Sequence, residues 1–385
     1  MGTILADRFK ILQVLGKGSF GVVYNVIETS TGKHFAIKAF KRKFNSWESA
    51  MRNAEVKAMI GFKHANIVSC QEVIRHEDVL FILFELLDMD LYRMMQMRKL
   101  NEDPFSHEEI RHIIKQIATG LDYIHNHGFF HRDIKPENIL IQGKTTAKIG
   151  DFGLVKEIRH QTPFTEYVST RWYRAPENVL GSRSYNYPVD IFALGCIMAE
   201  LYTFKPLFPG SSEMDQWEKI SRILGKPNHE DWPDAKRLAD RKIFQMPEYP
   251  RVPLSKIIPR ASAEAIALME WMMQYNPKNR PRPSQVLNHE FFKTKQPTTG
   301  MKTGQSETTA DTPKSRVESL VIGASGLQLK TKVLDQISPP INSQQPFKSN
   351  PKKSMRNSIE AQNVQANTKL EPIMENAVDH PQQQQ

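Results

Sequence analysis

Cysteine is nearly absent: Cys70 and Cys196 are the only two, each set among apolar residues. That excludes a disulfide framework and a thiolate zinc site, and it fits a reducing, intracellular compartment. Long apolar runs are lacking too. The most apolar stretch, Val79 to Leu87, is broken by Glu85 and falls far short of the ~20 residues a membrane helix needs. The opening Met1-Gly2-Thr3-Ile4-Leu5-Ala6-Asp7 has no basic or apolar leader pattern, and Ala6 stands where a myristoylation motif wants Ser or Thr, so no membrane attachment is expected. Aromatic residues run out towards one end, where Phe347 is the only one beyond Lys295. A stretch so composed, closing on four glutamines, cannot bury a core, and 296–385 reads as a disordered low-complexity tail. No internal repeat is visible.

The remaining charge and length describe a soluble protein with a sizeable core. The 385 residues carry a formal net charge of +10, and the tail's ten basic and eight acidic residues contribute little of it. The basic residues are scattered and no nucleic-acid signature accompanies them, so no nucleic-acid partner is expected. Phe9 to Leu15, Val22 to Ile27, His34 to Phe40 and Val79 to Leu86 are β-branched or aromatic runs separated by turn residues, which predicts an antiparallel sheet. Between them, Trp47 to Phe62 carries Met51, Ala58, Met59 and Phe62 at helical spacing. Glu55 shares that face. A carboxylate on a core-facing stripe needs a cation, and Lys38 on the third run is the candidate. After residue 100 the periodicity turns helical over Glu108 to His125, Pro188 to Phe204, Met214 to Leu224 and Ser262 to Gln274. The expected fold is α+β and bilobal, with a small β-rich lobe over 1–87, a larger helical lobe over 88–295, and a ligand cleft between them.

Two motifs carry chemistry. Gly16-Lys17-Gly18-Ser19-Phe20-Gly21-Val22-Val23 lets backbone amides approach phosphate oxygens. A dinucleotide-binding turn would need a helix next and an acidic residue downstream, whereas here a strand and then Lys38 follow. A plain hairpin turn stays open for this motif alone. The second motif is His131-Arg132-Asp133-Ile134-Lys135-Pro136-Glu137-Asn138, followed eighteen residues after Asp133 by Asp151-Phe152-Gly153. With Lys38 and Ala175-Pro176-Glu177 in order, the chain resembles a eukaryotic protein kinase.

The resemblance implies a Ser/Thr-directed phosphoryl transferase using ATP and Mg²⁺. Lys38, fixed by Glu55, would hold the α/β-phosphates, and Asp151 and Asn138 the metal. Asp133 would orient and deprotonate the substrate hydroxyl, Lys135 would steady the γ-phosphate, and Thr170 would brace the loop. Glu177 with Arg280, and Asp190, would brace the larger lobe. By alignment Phe84 is the gatekeeper, the backbone of Glu85 and Leu87 meets the adenine edge, Asp90 falls at the ribose, and Leu15, Val23, Ala36 and Leu140 sandwich the base. Loss of Lys38, Asp133, Asn138 or Asp151 would mark a non-catalytic scaffold, and all four are present.

Thr165-Glu166-Tyr167 through Arg174 resembles the TxY activation loop of MAP kinases and places the chain in the CMGC group. Lys41-Arg42-Lys43-Phe44 with Ser46-Trp47, His64-Ala65-Asn66, Gly128-Phe129-Phe130 and Pro206-Leu207-Phe208-Pro209-Gly210 look like the RCK branch, the MAK, ICK and MOK kinases. The resemblance covers about residues 9–292. It implies protein substrates with Ser/Thr-Pro sites, activation by phosphorylation at Thr165 and Tyr167, an upstream activating kinase, a monomer, and a cytoplasmic location with action in cilium, flagellum or nucleus. Phosphotyrosine 167 would meet Arg171 and Arg174, and phosphothreonine 165 would meet Arg132 and Lys156. Two departures weaken the second pocket: Ala54 and Lys156 stand where the group usually has arginines. Arg52, one turn earlier on the helix, is an alternative ligand. A third departure is Ser19-Phe20, which replaces the inhibitory Thr-Tyr pair of cyclin-dependent kinases. A partner-dependent enzyme of that kind is the nearer rival, although Asn53-Ala54-Glu55-Val56 lacks its docking sequence.

Overall fold

The computed structural model describes residues 4–18, 20–158, 170–246 and 248–293. The β-branched runs at the start form strands β1 (Ile4–Leu5), β2 (Phe9–Lys17), β3 (Gly21–Glu28), β4 (His34–Lys43), β5 (Cys70–His76) and β6 (Val79–Glu85). They make one antiparallel sheet in the order β1-β2-β3-β4-β6-β5. In its register Val23 lies opposite Lys38, and Ala36 opposite Phe84. Strand alternation therefore puts Val23, Ala36, Lys38 and Phe84 on one face. Phe9, Val26, Phe35, Ile37, Phe81 and Leu83 form a separate small core. β5 was not legible as a strand, because Cys70-Gln71-Glu72-Val73 interrupts its apolar alternation.

The helix expected over Trp47 to Phe62 is two helices, α1 (Trp47–Met51) and α2 (Ala54–Gly61). Asn53 divides them: it has extended backbone, and its side chain accepts hydrogen bonds from the Glu55 and Val56 amides. An Asn in that position starts a helix more readily than it continues one. Met51 consequently faces solvent, while Ala58 and Met59 stay in the core. Arg52 is the C-cap of α1 and the extended Asn53 separates it from α2, so it is not one turn before Glu55 on a common helix.

The larger lobe contains α3 (Leu91–Leu100), α4 (His107–Asn126), α5 (Pro176–Val179), α6 (Pro188–Thr203), α7 (Glu213–Leu224), α8 (Asp234–Lys242), α9 (Leu254–Ile257), α10 (Ala263–Met272) and α11 (Pro283–Leu287). Short strands β7 (Met89–Asp90), β8 (Phe129–Phe130), β9 (Ile139–Gln142), β10 (Thr146–Ile149) and β11 (Lys156–Glu157) line its upper edge as β10-β9-β7 and β11-β8. α4 begins at a capping box between Ser106 and Glu109 and buries Ile110, Ile113, Ile114, Ile117, Leu121 and Ile124 on one side. α6 is buried nearly throughout, packed against α4 and α10. Gly120 lets α4 approach the cleft floor, since a Cβ there would lie 2.9 Å from both the Asn66 carbonyl and Ile149 Cδ1. α3 and α8 escaped the periodicity reading because few of their residues are buried: Leu91 and Met95 in one, Ala235, Leu238 and Ala239 in the other.

Candidate active site

β4 carries Lys38 into the cleft, and α2, started by Asn53, carries Glu55 to meet it. Lys38 Nζ lies 2.5 Å from Glu55 Oε1 and 3.0 Å from Asp151 Oδ1. Burial alone would lower the Lys38 pKa, but two carboxylates on one ammonium outweigh it and hold the group above its ordinary value. Burial pushes the Asp151 carboxyl up, and the charge and hydrogen bond of Lys38 more than reverse this, leaving it below the usual carboxylate range. Glu55 goes the other way: its deeper burial is only partly offset by Lys38. The Asp151 side chain stays 53% exposed, in left-handed backbone with φ of 52°, its carboxylate open to the cleft.

Across the cleft floor, Lys135 Nζ donates to Asp133 Oδ2 at 2.8 Å. Asn138 Nδ2 donates to the Asp133 carbonyl at 2.7 Å and to Oδ2 at 3.0 Å. The loop is suspended from Asp190 on α6, whose carboxylate accepts from the His131 and Arg132 amides, each at 2.8 Å. Burial raises the Asp190 pKa, and the hydrogen bond and charge of His125, 2.9 Å away, bring it below the ordinary value. Thr170 lines a cavity of about 20 Å³ with Asp133 and Lys135, room for about one water.

Between the lobes lies a cavity of about 340 Å³, within the usual range for a small-molecule site. Its wall includes Leu15, Gly16, Val23, Ala36, Lys38, Phe84, Glu85, Leu87, Asp90, Asn138, Leu140 and Asp151. Asp90 also caps α3 by accepting the Arg93 amide. Lys17, Gly18, Phe20 and Gly21 are not on that wall. Gly18 and Gly21 instead close a turn through Gly18 N–H to the Gly21 carbonyl, 2.9 Å, and Phe20 folds over Gly153, where an added Cβ would meet its ring at 2.8 Å. Ser19, Thr165 and Tyr167 lie outside the described residues. Of the cations assigned to loop phosphates, Lys156 is opposite Phe130 in the β11-β8 pair and Arg132 is two residues further on. Arg171 is exposed, while Arg174 is buried and 3.7 Å from Glu213.

Three residues at the site were not anticipated. Asn53 aims Glu55. Lys148 on β10 donates to both Glu85 carboxylate oxygens, each at 2.7 Å, which ties the end of β6 to the larger lobe. Tyr185 accepts from the Arg132 guanidinium. Asn53 had a local signal, an Asn before an apolar helical run; the other two had none.

A comparison with protein families matches residues 9–292 to the protein kinase domain. The chain belongs to the protein kinase family. The kinase domain is 47% identical over 287 residues to the serine/threonine-protein kinase MAK of Homo sapiens, a stretch that is 74% of this chain and 45% of that protein. Serine/threonine-protein kinase ICK of Mus musculus matches at 47%, with the same shares. Cyclin-dependent kinase F-4 of Oryza sativa subsp. japonica matches at 43%, over 74% of this chain and 61% of its own length. The match thus takes in less than half of the length of MAK and ICK.

Kinases use ATP with a divalent metal, generally Mg²⁺, and the residues here suit that pair. Among the described residues no three His, Cys, Asp or Glu side chains gather as a self-sufficient metal cage. Mg²⁺ does not need one, since it binds through one or two protein oxygens plus phosphates and water. The open Asp151 carboxylate, with Asn138 beside it on the cavity wall, matches that requirement.

Proposed function

We propose that this chain is a protein serine/threonine kinase that transfers the γ-phosphoryl group of Mg·ATP to hydroxyls preceding proline. The observation that supports it most is the pairing of two charged clusters in one cleft: Lys38 with Glu55 and Asp151 above, and Asp133 with Lys135 and Asn138 below. Mg·ATP would supply the phosphoryl group and the positive charge that offsets its oxygens. Asp151 and Asn138 would hold the metal and Lys38 the α/β-phosphates. Asp133 is the acceptor for the hydroxyl proton, and the neighbouring Lys135 ammonium, 2.8 Å from its Oδ2, keeps that carboxylate aimed. Asp133→Asn in the purified chain should abolish phosphorylation of a protein substrate while an ATP analogue still binds. Retained phosphorylation would overturn the assignment.

Proline preference would rest on Arg171 and on Val168, which lies outside the described residues, together leaving the next residue's N–H without an acceptor; proline has no N–H to leave unpaired. A peptide array in which alanine replaces that proline without loss would refute it. Activation is through Thr165 and Tyr167, unequally. Ala54 opens α2 where an arginine would otherwise reach a Thr165 phosphate, and Arg52 is engaged with Glu48 on α1. Lysine at 156 supplies a point charge without a planar fork. Tyr167→Phe should therefore lower kcat more than Thr165→Ala does, and Ala54→Arg should widen the response to Thr165 phosphorylation. Equal activation by either single phosphate would disprove this. The RCK resemblance supports a cytoplasmic enzyme acting in control of ciliary or flagellar length or transport.

A further inference from the structure

Tyr185 lies between α5 and α6, 53 positions along the chain from Arg132. Its phenol oxygen accepts from Arg132 Nε at 3.0 Å and from Nη2 at 2.5 Å, while Arg132 Nη1 donates to the Leu154 carbonyl at 3.3 Å. The guanidinium carbon sits 5.4 Å from the centroid of the Tyr185 ring, and that ring meets Phe130 edge-on at 6.2 Å. The next residue, Asn186, donates from Nδ2 to the Ile158 carbonyl at 3.2 Å. Three stretches of chain therefore converge on this arginine: the catalytic loop, the start of the activation segment and the approach to α6.

Arg132 needs such support. It is only 8% exposed, and its φ of 75° is a left-handed conformation that an arginine adopts at a cost. Asp190 holds its amide side at 2.8 Å, and Tyr185 holds its guanidinium side. Asp133 follows directly.

We propose that Tyr185 is a positioning residue for Asp133: its phenol oxygen anchors the Arg132 guanidinium with the chain's own atoms, independently of any phosphate on the activation segment. This rests on the kinase reading and on Arg132 as a ligand of the Thr165 phosphate. That phosphate would give Arg132 a second, charged and stronger anchor. The phenol therefore supports the activity of the unphosphorylated enzyme and is largely redundant in the phosphorylated one.

The test is a cycle in the full chain. Tyr185→Phe keeps the ring and its contact with Phe130 and removes only the oxygen. In a Thr165→Ala background it should lower kcat on a Ser-Pro peptide roughly tenfold, the size expected for losing one charge-assisted hydrogen bond, with KM for ATP unchanged. In the Thr165-phosphorylated chain the fall should be less than about twofold. In an Arg132→Met chain, Tyr185→Phe should add nothing further. Equal falls in both phosphorylation states, no fall in either, a larger fall in the phosphorylated chain, or a loss of folded protein read by ADP binding would each overturn the proposal. If the wild-type chain transfers no phosphoryl group at all, the kinase reading itself fails, a result distinct from these.

Discussion

Glu200 sits on α6, a helix buried almost along its whole length, and its Oε2 accepts the Tyr173 hydroxyl at 2.6 Å. Burial pushes its pKa from the ordinary 4.5 up to about 7, with the Tyr173 hydrogen bond only partly opposing. The direction of the pH effect follows. Below about pH 4.5 the side chain is neutral both folded and unfolded, and its contribution to stability is fully present; as pH rises through 7 the folded protein must carry a buried charge and that contribution is lost. A shift of this size corresponds to something on the order of 3 kcal/mol. Glu200→Gln keeps an acceptor for Tyr173 and cannot ionise. Between pH 4.5 and 8 the unfolding free energy of wild type should therefore fall relative to the variant by that order, measured by urea titration. Parallel pH profiles would show that the group titrates normally. Glu177 and Arg280, also buried, bind one another through two bonds of 2.7 Å each, so their charges are paired.

At the scale of elements, the site depends on where helices begin. Asn53 supplies two of the hydrogen bonds that the first turn of α2 cannot make internally, and Glu55 is the second residue of that helix. Asn53→Ala should cost about 1 kcal/mol of stability, and because the fraying end carries Glu55, activity should fall more than a surface cap would explain. Asn53→Ser, which restores an acceptor, should recover both. A thermal melt with peptide kinetics on the three proteins checks this; an activity loss that serine fails to restore would exclude capping as its cause. The division of α1 from α2 also explains why Met51 is exposed although helical spacing had placed it on the buried face. Periodicity detects a repeat, but it does not detect a side chain that caps one helix within the repeat of another.

For the whole molecule, the described residues up to 293 contain every group assigned to chemistry or substrate choice except Ser19, Thr165, Tyr167 and Val168. The composition of 296–385, with one aromatic residue, offers nothing that would anchor against a core. Removing 296–385 should leave kcat/KM on a peptide within about twofold of the full chain and the thermal midpoint nearly unchanged. A drop of many degrees would show that the tail docks on the kinase domain.

The groups proposed for catalysis could be named from the sequence because the kinase resemblance is carried by residue types at short spacings: Asp133, Lys135 and Asn138 on one loop, and Asp151 at the start of another. The Lys38–Glu55 pair was legible for a related reason, since a carboxylate on a core-facing helix must find a cation. The tertiary structure alone decided what reaches those groups from afar. Tyr185 meets Arg132 across 53 positions, and Lys148 meets Glu85 across 63. Neither residue breaks a local pattern, because a tyrosine before a helix and a lysine in a strand are ordinary in sequence. Their partners are set by how α6 and the short strands pack beneath the cleft, and that packing is a property of the whole core.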